Sequence, residues 1–427
     1  MTAGVNPLHL MARLAQSGLF DDHVVYERPG TWTFAGGVLG EVVLDGDGTV
    51  RSRWNDEEPT ERRWSGRPSD ALDEAFASCP FREWNAYGWI AFEFATAAQA
   101  TRNAARLAHL IVPRTEVRIE ACQAHVTSVD AAEADQVAHL LTEPTPPRLG
   151  TPVPVGVRSG GDRYRTQVAQ AVSEIGAGQY QKVIVSRRLP IPYPVDVVST
   201  YVRGRTANTP ARSFLLNLGG FQATGFSPEV VACVDGTGTV MTQPLAGTRA
   251  FGRGAKEDAT TRRELETDPK EIFEHAVSVR TSQDELYQVC EPDTVQVTGF
   301  MSVKERGSVQ HLGSSVSGLL AQGRTSWDAL DVLFPAVTAS GIPKAEAIEA
   351  IGRLEDEPRG LYSGAVLTIS HDGAMDAALV LRALYADGDE AWLRAGAGIV
   401  TGSTPDREFE ETCEKLSSIA PYVVPRT

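Results

Sequence analysis

The chain has 427 residues, 42% of them hydrophobic and 22% charged, with a formal net charge of −15. That length allows two or three domains or one large α/β unit, and the composition is that of a soluble globular protein. The negative charge argues against nucleic-acid binding through a basic surface, and no run of ~18 uninterrupted apolar residues offers a membrane-spanning helix. Residues 1–20 lack a basic start followed by an apolar run, so no secretory signal is expected. The five cysteines, Cys79, Cys122, Cys233, Cys290 and Cys413, are scattered and form no C-x-x-C pair. That usage predicts reduced thiols in a cytoplasmic protein, with neither a disulfide framework nor a zinc site.

In chain order, residues 1–145 are irregular in pattern. Residues 88–94 alternate and predict a strand, as do 117–121, and 131–141 predict a short helix. The stretch 143–148 holds Pro144, Pro146 and Pro147, which suit a connector better than a helix or sheet. From 164 to 177 the pattern is amphipathic, with Val168, Val172 and Ile175 on one side and a stop at Gly176-Ala177-Gly178. Residues 182–189, 212–218, 230–234 and 239–242 read as strands, and 256–290 as mostly helical. Residues 364–370 and 377–385 read as strands joined by a hairpin turn at His371-Asp372-Gly373. A further strand, 391–395, leads into a glycine loop, Gly396-Ala397-Gly398, and the last helix lies near 405–420. Strand clusters separated by helices predict an α+β fold with antiparallel sheets.

Two short acidic motifs stand out on the helical stretches. Glu271 and Glu274 lie in Lys270-Glu271-Ile272-Phe273-Glu274-His275, and Glu408 and Glu411 lie within 407–415. Residues three apart share a helix face. Two such faces turned together would gather four carboxylates, which repel unless a cation sits among them. Oxygen-only ligands point to a hard ion, Mg²⁺ first. Each motif alone reads more readily as a solvated helix face than as a ligand set.

Other groups recur around these motifs. Lys182 opens an apolar strand, where its amine is either solvated or a general base with a lowered pKa. Glu229 follows Pro228 at a turn, either as a surface carboxylate or as a semi-buried general acid. Leu245-Ala246-Gly247-Thr248 is either a plain turn or a stretch whose Gly247 lets a ligand approach the backbone. Arg382, after Leu381 in an apolar strand, needs an acceptor, from a core acid or from a bound carboxylate. The glycine loop could offer backbone N–H groups to a carboxylate, and Lys415, one turn past Glu411, could reach the same ligand. Tyr362 and His311 are polar aromatics in apolar or Gly-rich surroundings, where most such residues are satisfied core groups.

Several stretches, in this order, resemble the chorismate-utilising enzymes: 180–187 (Tyr180-Gln181-Lys182-Val183-Ile184-Val185-Ser186-Arg187), 225–229, 244–249, 270–275, 307–314, 334–344, 359–364, 394–399 and 407–415. The family includes isochorismate synthases, salicylate synthases and the large subunits of anthranilate synthase. The resemblance implies large antiparallel sheets packed as a sandwich with helices outside, residues 160–421 as the chorismate-binding catalytic region, and 1–150 as the N-terminal part of the same α+β unit. It further implies Lys182, Glu229 and His311 as catalytic groups and Glu271, Glu274, Glu408 and Glu411 as Mg²⁺ ligands. Leu245, Ala246, Gly247, Thr248, Tyr362, Leu381, Arg382, Gly396, Ala397, Gly398 and Lys415 would bind chorismate. Within the family, a lysine at position 182 is similar to members that activate water, where ammonia-using members carry glutamine. The closest resemblance is to salicylate synthases of siderophore pathways, although Gln243 stands where glutamate is expected. The alternatives that stay open are an isochorismate synthase, an ammonia-dependent synthase and a non-catalytic binding subunit. A monomer is expected, with no glutaminase partner, no nucleic acid and no membrane.

Overall fold

The structure, a computed structural model, describes residues 6–97, 105–121, 123–143, 145–307 and 309–426. Of the residues read above, Cys122, Pro144, Ser308 and the first five residues lie outside these. Every strand pairing among the described residues is antiparallel.

The strands form two broad layers. The first runs, neighbour to neighbour, through Gly341–Ile342, Lys182–Ile191, Glu390–Ile399, Ala383–Asp387, Phe221–Ser227, Arg212–Leu218 and His23–Arg28. The second runs through Gln296–Arg306, Val309–Leu319, Thr239–Thr242, Val230–Val234, Met375–Leu379, Ala365–Ser370 and Asn85–Ile90. Thr31–Asp45 and Arg106–Glu120, each 15 residues long, pair with each other and join the layers. His23–Arg28 lies on the first half of one, and Asn85–Ile90 on the first half of the other.

Apolar side chains from both layers meet between them. Phe214, Leu216, Ala383 and Tyr385 of the first pack with Trp89, Val366, Ala378 and Val380, which the second sheet and its exit supply. This is the face-to-face packing expected of two alternating sheets. Helices cover the outer faces. Pro7–Gln16 and Val197–Ala207 pack on the first layer, Pro68–Ala77 and Ser326–Leu333 on the second. Gly161–Gly176, Lys344–Leu354 and Pro405–Leu416 pack around the Lys182–Ile191 and Glu390–Ile399 pair. No helix is long and apolar enough to cross a membrane among the described residues.

Three elements differ from the sequence reading, and the mostly helical stretch 256–290 is refined. The strand expected at 88–94 is Asn85–Ile90, followed by a 3₁₀ turn at Phe92–Thr96. Within the turn the Glu93 carboxylate accepts the backbone N–H groups of Arg359 and Gly360 and ties it to the second layer's approach. The helical stretch 256–290 is two helices, Ala255–Thr267 and Pro269–Leu286, hinged at Asp268, whose side chain caps the second by accepting the Lys270 N–H. The strand expected at 377–385 is two strands, Met375–Leu379 and Ala383–Asp387, in different layers. Between them Arg382 adopts φ 52°. The glycine loop is no loop: Gly396, Ala397 and Gly398 lie inside Glu390–Ile399, paired with Ser186, Val185 and Ile184. The hairpin turn at 371–373 is present, with Gly373 at φ 84°.

Candidate active site

Two chain crossings between the layers position the centre of the site. Phe221–Ser227 leaves the first layer and, through Pro228 and Glu229, enters the second as Val230–Val234. Residues 380–382 make the reverse crossing. The crossings bond to each other: the Leu379 N–H donates to the Glu229 carbonyl at 3.1 Å and the Phe226 N–H to the Arg382 carbonyl at 3.2 Å. The Ser227 hydroxyl lies 2.6 Å from the Leu379 carbonyl and 2.9 Å from that of Glu229. Glu229 and Arg382 thus project into one cavity, with Thr248, His311, Tyr362, Gly396 and Lys415 also on its wall.

Glu229 is buried, and burial pushes its carboxyl up to about 8, against the opposing pull of hydrogen bonds from the Thr338 hydroxyl and the Leu245 N–H and of the Lys182 charge. Thr338 donates to it at 2.5 Å. A protonated carboxylic acid at neutral pH follows.

Arg382 donates to the Arg306 carbonyl at 3.0 Å and to His311 Nε2 at 2.7 Å. No carboxylate pairs with it among the described residues. Burial, then the neighbouring Arg306, brings its pKa down to about 10. A half-buried guanidinium without an acid, on a cavity wall, suits an anionic ligand. His311 Nδ1 lies 3.2 Å from the Gly247 carbonyl, which only accepts, so Nδ1 carries the hydrogen and Nε2 accepts from Arg382. Burial and the Arg382 charge hold its pKa well below the usual imidazole value. The ring is therefore neutral and braces Arg382. Gly247 sits at a bulge in Leu245–Ala250 with φ 75°, a conformation that favours glycine.

Gly396 lines the cavity and Gly398 faces Lys182, and both lack room for a side chain. A Cβ at Gly396 would lie 2.9 Å from the Tyr362 hydroxyl, and one at Gly398 would lie 3.2 Å from Lys182 Cε. Ala397, between them, turns its methyl into the helix-side core, so only its backbone remains available. Leu245 and Leu381 line the cavity, whereas Ala246, Gly247, Ala397 and Gly398 do not. Among the lining residues not assigned from the sequence, Thr338 and Arg394 carry polar side chains that can hydrogen-bond a ligand. Arg394 carries the signal that marked Arg382, an arginine in an apolar strand. Thr338 carries none, because its role depends on the fold bringing it to Glu229.

Lys182 is buried and donates to Glu274 at 2.6 Å on the wall of a second chamber that also takes in Lys270 and Phe273. Burial raises the Glu274 carboxyl, but Lys182 outweighs it and holds the pKa below the ordinary value. Glu271 accepts from Arg249 at 2.8 Å, and Glu411 pairs with Lys415 at 2.8 Å. Glu408 is buried, and burial and the Glu411 charge raise its pKa. As they stand, no group of three or more carboxylates is close enough to hold a metal among the described residues. The donor chemistry nonetheless suits Mg²⁺. All four groups are carboxylates, and the buried Glu408 feels a like charge that a cation would offset.

The chain matches the chorismate binding enzyme family over residues 22–421 and belongs to it. It is an enzyme of that class. A salicylate synthase of Mycolicibacterium paratuberculosis is 50% identical, aligning over 99% of this chain and 95% of that protein. The anthranilate synthase component 1 of Spirochaeta aurantia is 39% identical over 61% of this chain and 54% of its own length. Among solved structures, anthranilate synthase component I of Streptococcus pneumoniae superposes with a TM-score of 0.77 at 25% identity, covering 91% of this chain and 92% of that one. The menaquinone-specific isochorismate synthase of Escherichia coli gives 0.77 at 20% identity, covering 99% and 92%, a likeness of fold.

Proposed function

We propose that this chain is a Mg²⁺-dependent salicylate synthase, converting chorismate through isochorismate to salicylate and pyruvate. The nearly full-length identity to a salicylate synthase supports the overall conversion. The observation that carries the chemistry is Glu229, a buried acid that keeps its proton at neutral pH and stands in the same cavity as Arg382. In this reading Lys182 takes a proton from water as the water attacks ring C2. Glu229 gives its proton to the departing C4 hydroxyl, which leaves as water. Arg382, Tyr362, Lys415 and the Gly396–Gly398 backbone hold the carboxylate and hydroxyl groups, and His311 keeps Arg382 aimed. Glu271, Glu274, Glu408 and Glu411 would hold Mg²⁺, directly or through water. The ion supplies positive charge for the ring carboxylate. Pyruvate then leaves by an intramolecular hydrogen shift, which needs a held conformer more than a new base. The enzyme would act as a cytoplasmic monomer without a glutaminase, its product serving siderophore assembly.

The test is incubation of the purified protein with chorismate and Mg²⁺, with an EDTA control and chromatography of products. Equal salicylate and pyruvate, lost with EDTA, is the expected result. Isochorismate accumulating without pyruvate would place the end of the reaction one step earlier. An aminated product formed only with added ammonia would overturn the role of Lys182.

A further inference from the structure

Arg187 lies on the Lys182–Ile191 strand and is 6% exposed. No carboxylate forms an ion pair with it among the described residues. A buried guanidinium in that position costs free energy unless its donors are satisfied. They are satisfied by two other parts of the chain. Nη1 donates to the Ser159 carbonyl at 2.9 Å and Nη2 to the Val157 carbonyl at 2.6 Å. Nε donates to the Thr412 hydroxyl at 2.8 Å, and Nη2 approaches Cys413 Sγ at 3.3 Å. The guanidinium also lies over the Phe409 ring, 4.8 Å from its centroid.

Phe409, Thr412 and Cys413 form the buried face of the Pro405–Leu416 helix. Glu408, Glu411 and Lys415 recur at the spacing of a neighbouring face of the same helix. Thr412 is itself oriented, because its hydroxyl donates to the Phe409 carbonyl at 2.7 Å and so presents a lone pair to Arg187. One buried side chain thus grips the inner face of the helix, and that side chain stands on the strand that carries Lys182. A lysine could not copy this, since it lacks the planar fork and the stacking surface.

We propose that Arg187 is a positioning residue for the cation site, locking the helix that carries Glu408 and Glu411 against the strand that carries Lys182. This rests on the reading of those glutamates as Mg²⁺ ligands. Groups that orient ligands, without touching the metal, typically change affinity 10- to 100-fold.

The experiment is calorimetric titration of the substrate-free protein with MgCl₂, for wild type, R187K and T412A, with a melting curve of each. R187K should bind Mg²⁺ roughly 10-fold or more weakly, and T412A more weakly by a smaller factor. Product formation by both should recover as Mg²⁺ is raised. Melting temperatures that fall while Mg²⁺ affinity matches wild type would overturn the proposal and leave Arg187 a packing residue. If R187K does not fold, T412A, which removes the Nε acceptor and its bond to the Phe409 carbonyl but leaves Arg187 and its other contacts in place, decides between the same two outcomes. A wild-type protein that binds no Mg²⁺ would overturn the metal reading, and this role with it.

Discussion

At the scale of single residues, Glu229 ties catalysis to a measurable cost. Its pKa of about 8 lies well above that of a carboxyl in an unfolded chain. The stability linked to its protonated form is complete below the ordinary carboxyl range and is lost as pH rises toward 8. Glu229→Gln removes that loss while keeping the shape. The variant should therefore melt higher than wild type at pH 8, by a margin of order a few kcal/mol, and the gap should close toward pH 4. It should also lose roughly 10²- to 10⁴-fold in turnover, as expected for removal of a general acid. Wild-type turnover should fall as pH passes 8, because the acid is then ionised. Melting curves and rates across pH 4–9 check all three. Lys182→Gln should end water addition while chorismate binding persists, which product analysis beside a binding titration would show. Both residues were legible as candidates from their neighbours in sequence. What was not legible is the full burial that makes Glu229 an acid, because it takes parts of the chain far apart in sequence, Thr338 more than 100 residues away among them, to close around the carboxyl.

At the scale of elements, the site is made by the two crossings. An alternating pattern reports which residues face a core, but it does not report when a strand changes layers. Residues 377–385 are apolar apart from Arg382 and so read as one strand, although the chain leaves one sheet at Leu379 and joins the other at Ala383. Arg382 was thus found as an anomaly, an arginine amid apolar residues, and its setting was misjudged. The glycine loop failed for a related reason. Glycine is poor in strands on average, yet here Gly396 and Gly398 are the positions where the strand must leave room for Tyr362 and Lys182. Gly396→Ala should separate that strand from its neighbour, since the new Cβ would lie 2.7 Å from the Val185 carbonyl. A lowered melting temperature and loss of turnover are expected together. Ser227→Ala is a gentler probe. It removes the hydroxyl that bridges both crossings and should cost about 1–3 kcal/mol in denaturant unfolding. Because the crossings carry Glu229 and Arg382, its kcat/KM should fall by more than its stability loss would explain in a fully folded population.

At the scale of the whole molecule, the family motifs are confined to residues after 160, while the architecture is not. The catalytic layers depend on the N-terminal part at two places. Arg212–Leu218 pairs with His23–Arg28, and Ala365–Ser370 pairs with Asn85–Ile90. Both N-terminal strands then lean on Thr31–Asp45 or Arg106–Glu120, the pair that bridges the sandwich. Trp89, Tyr87 and Ile111 fill the space between the layers beside Tyr362 and Val380. Removing residues 1–150 would expose that interior and leave two strand edges unpaired, an arrangement prone to aggregation. A fragment of residues 160–421 should accordingly fail to give a cooperative thermal transition. The full chain should unfold in one transition, with loss of chorismate turnover tracking loss of secondary structure. A fragment that folds and turns over chorismate by itself would show that the bridge strands are an accessory to the catalytic region.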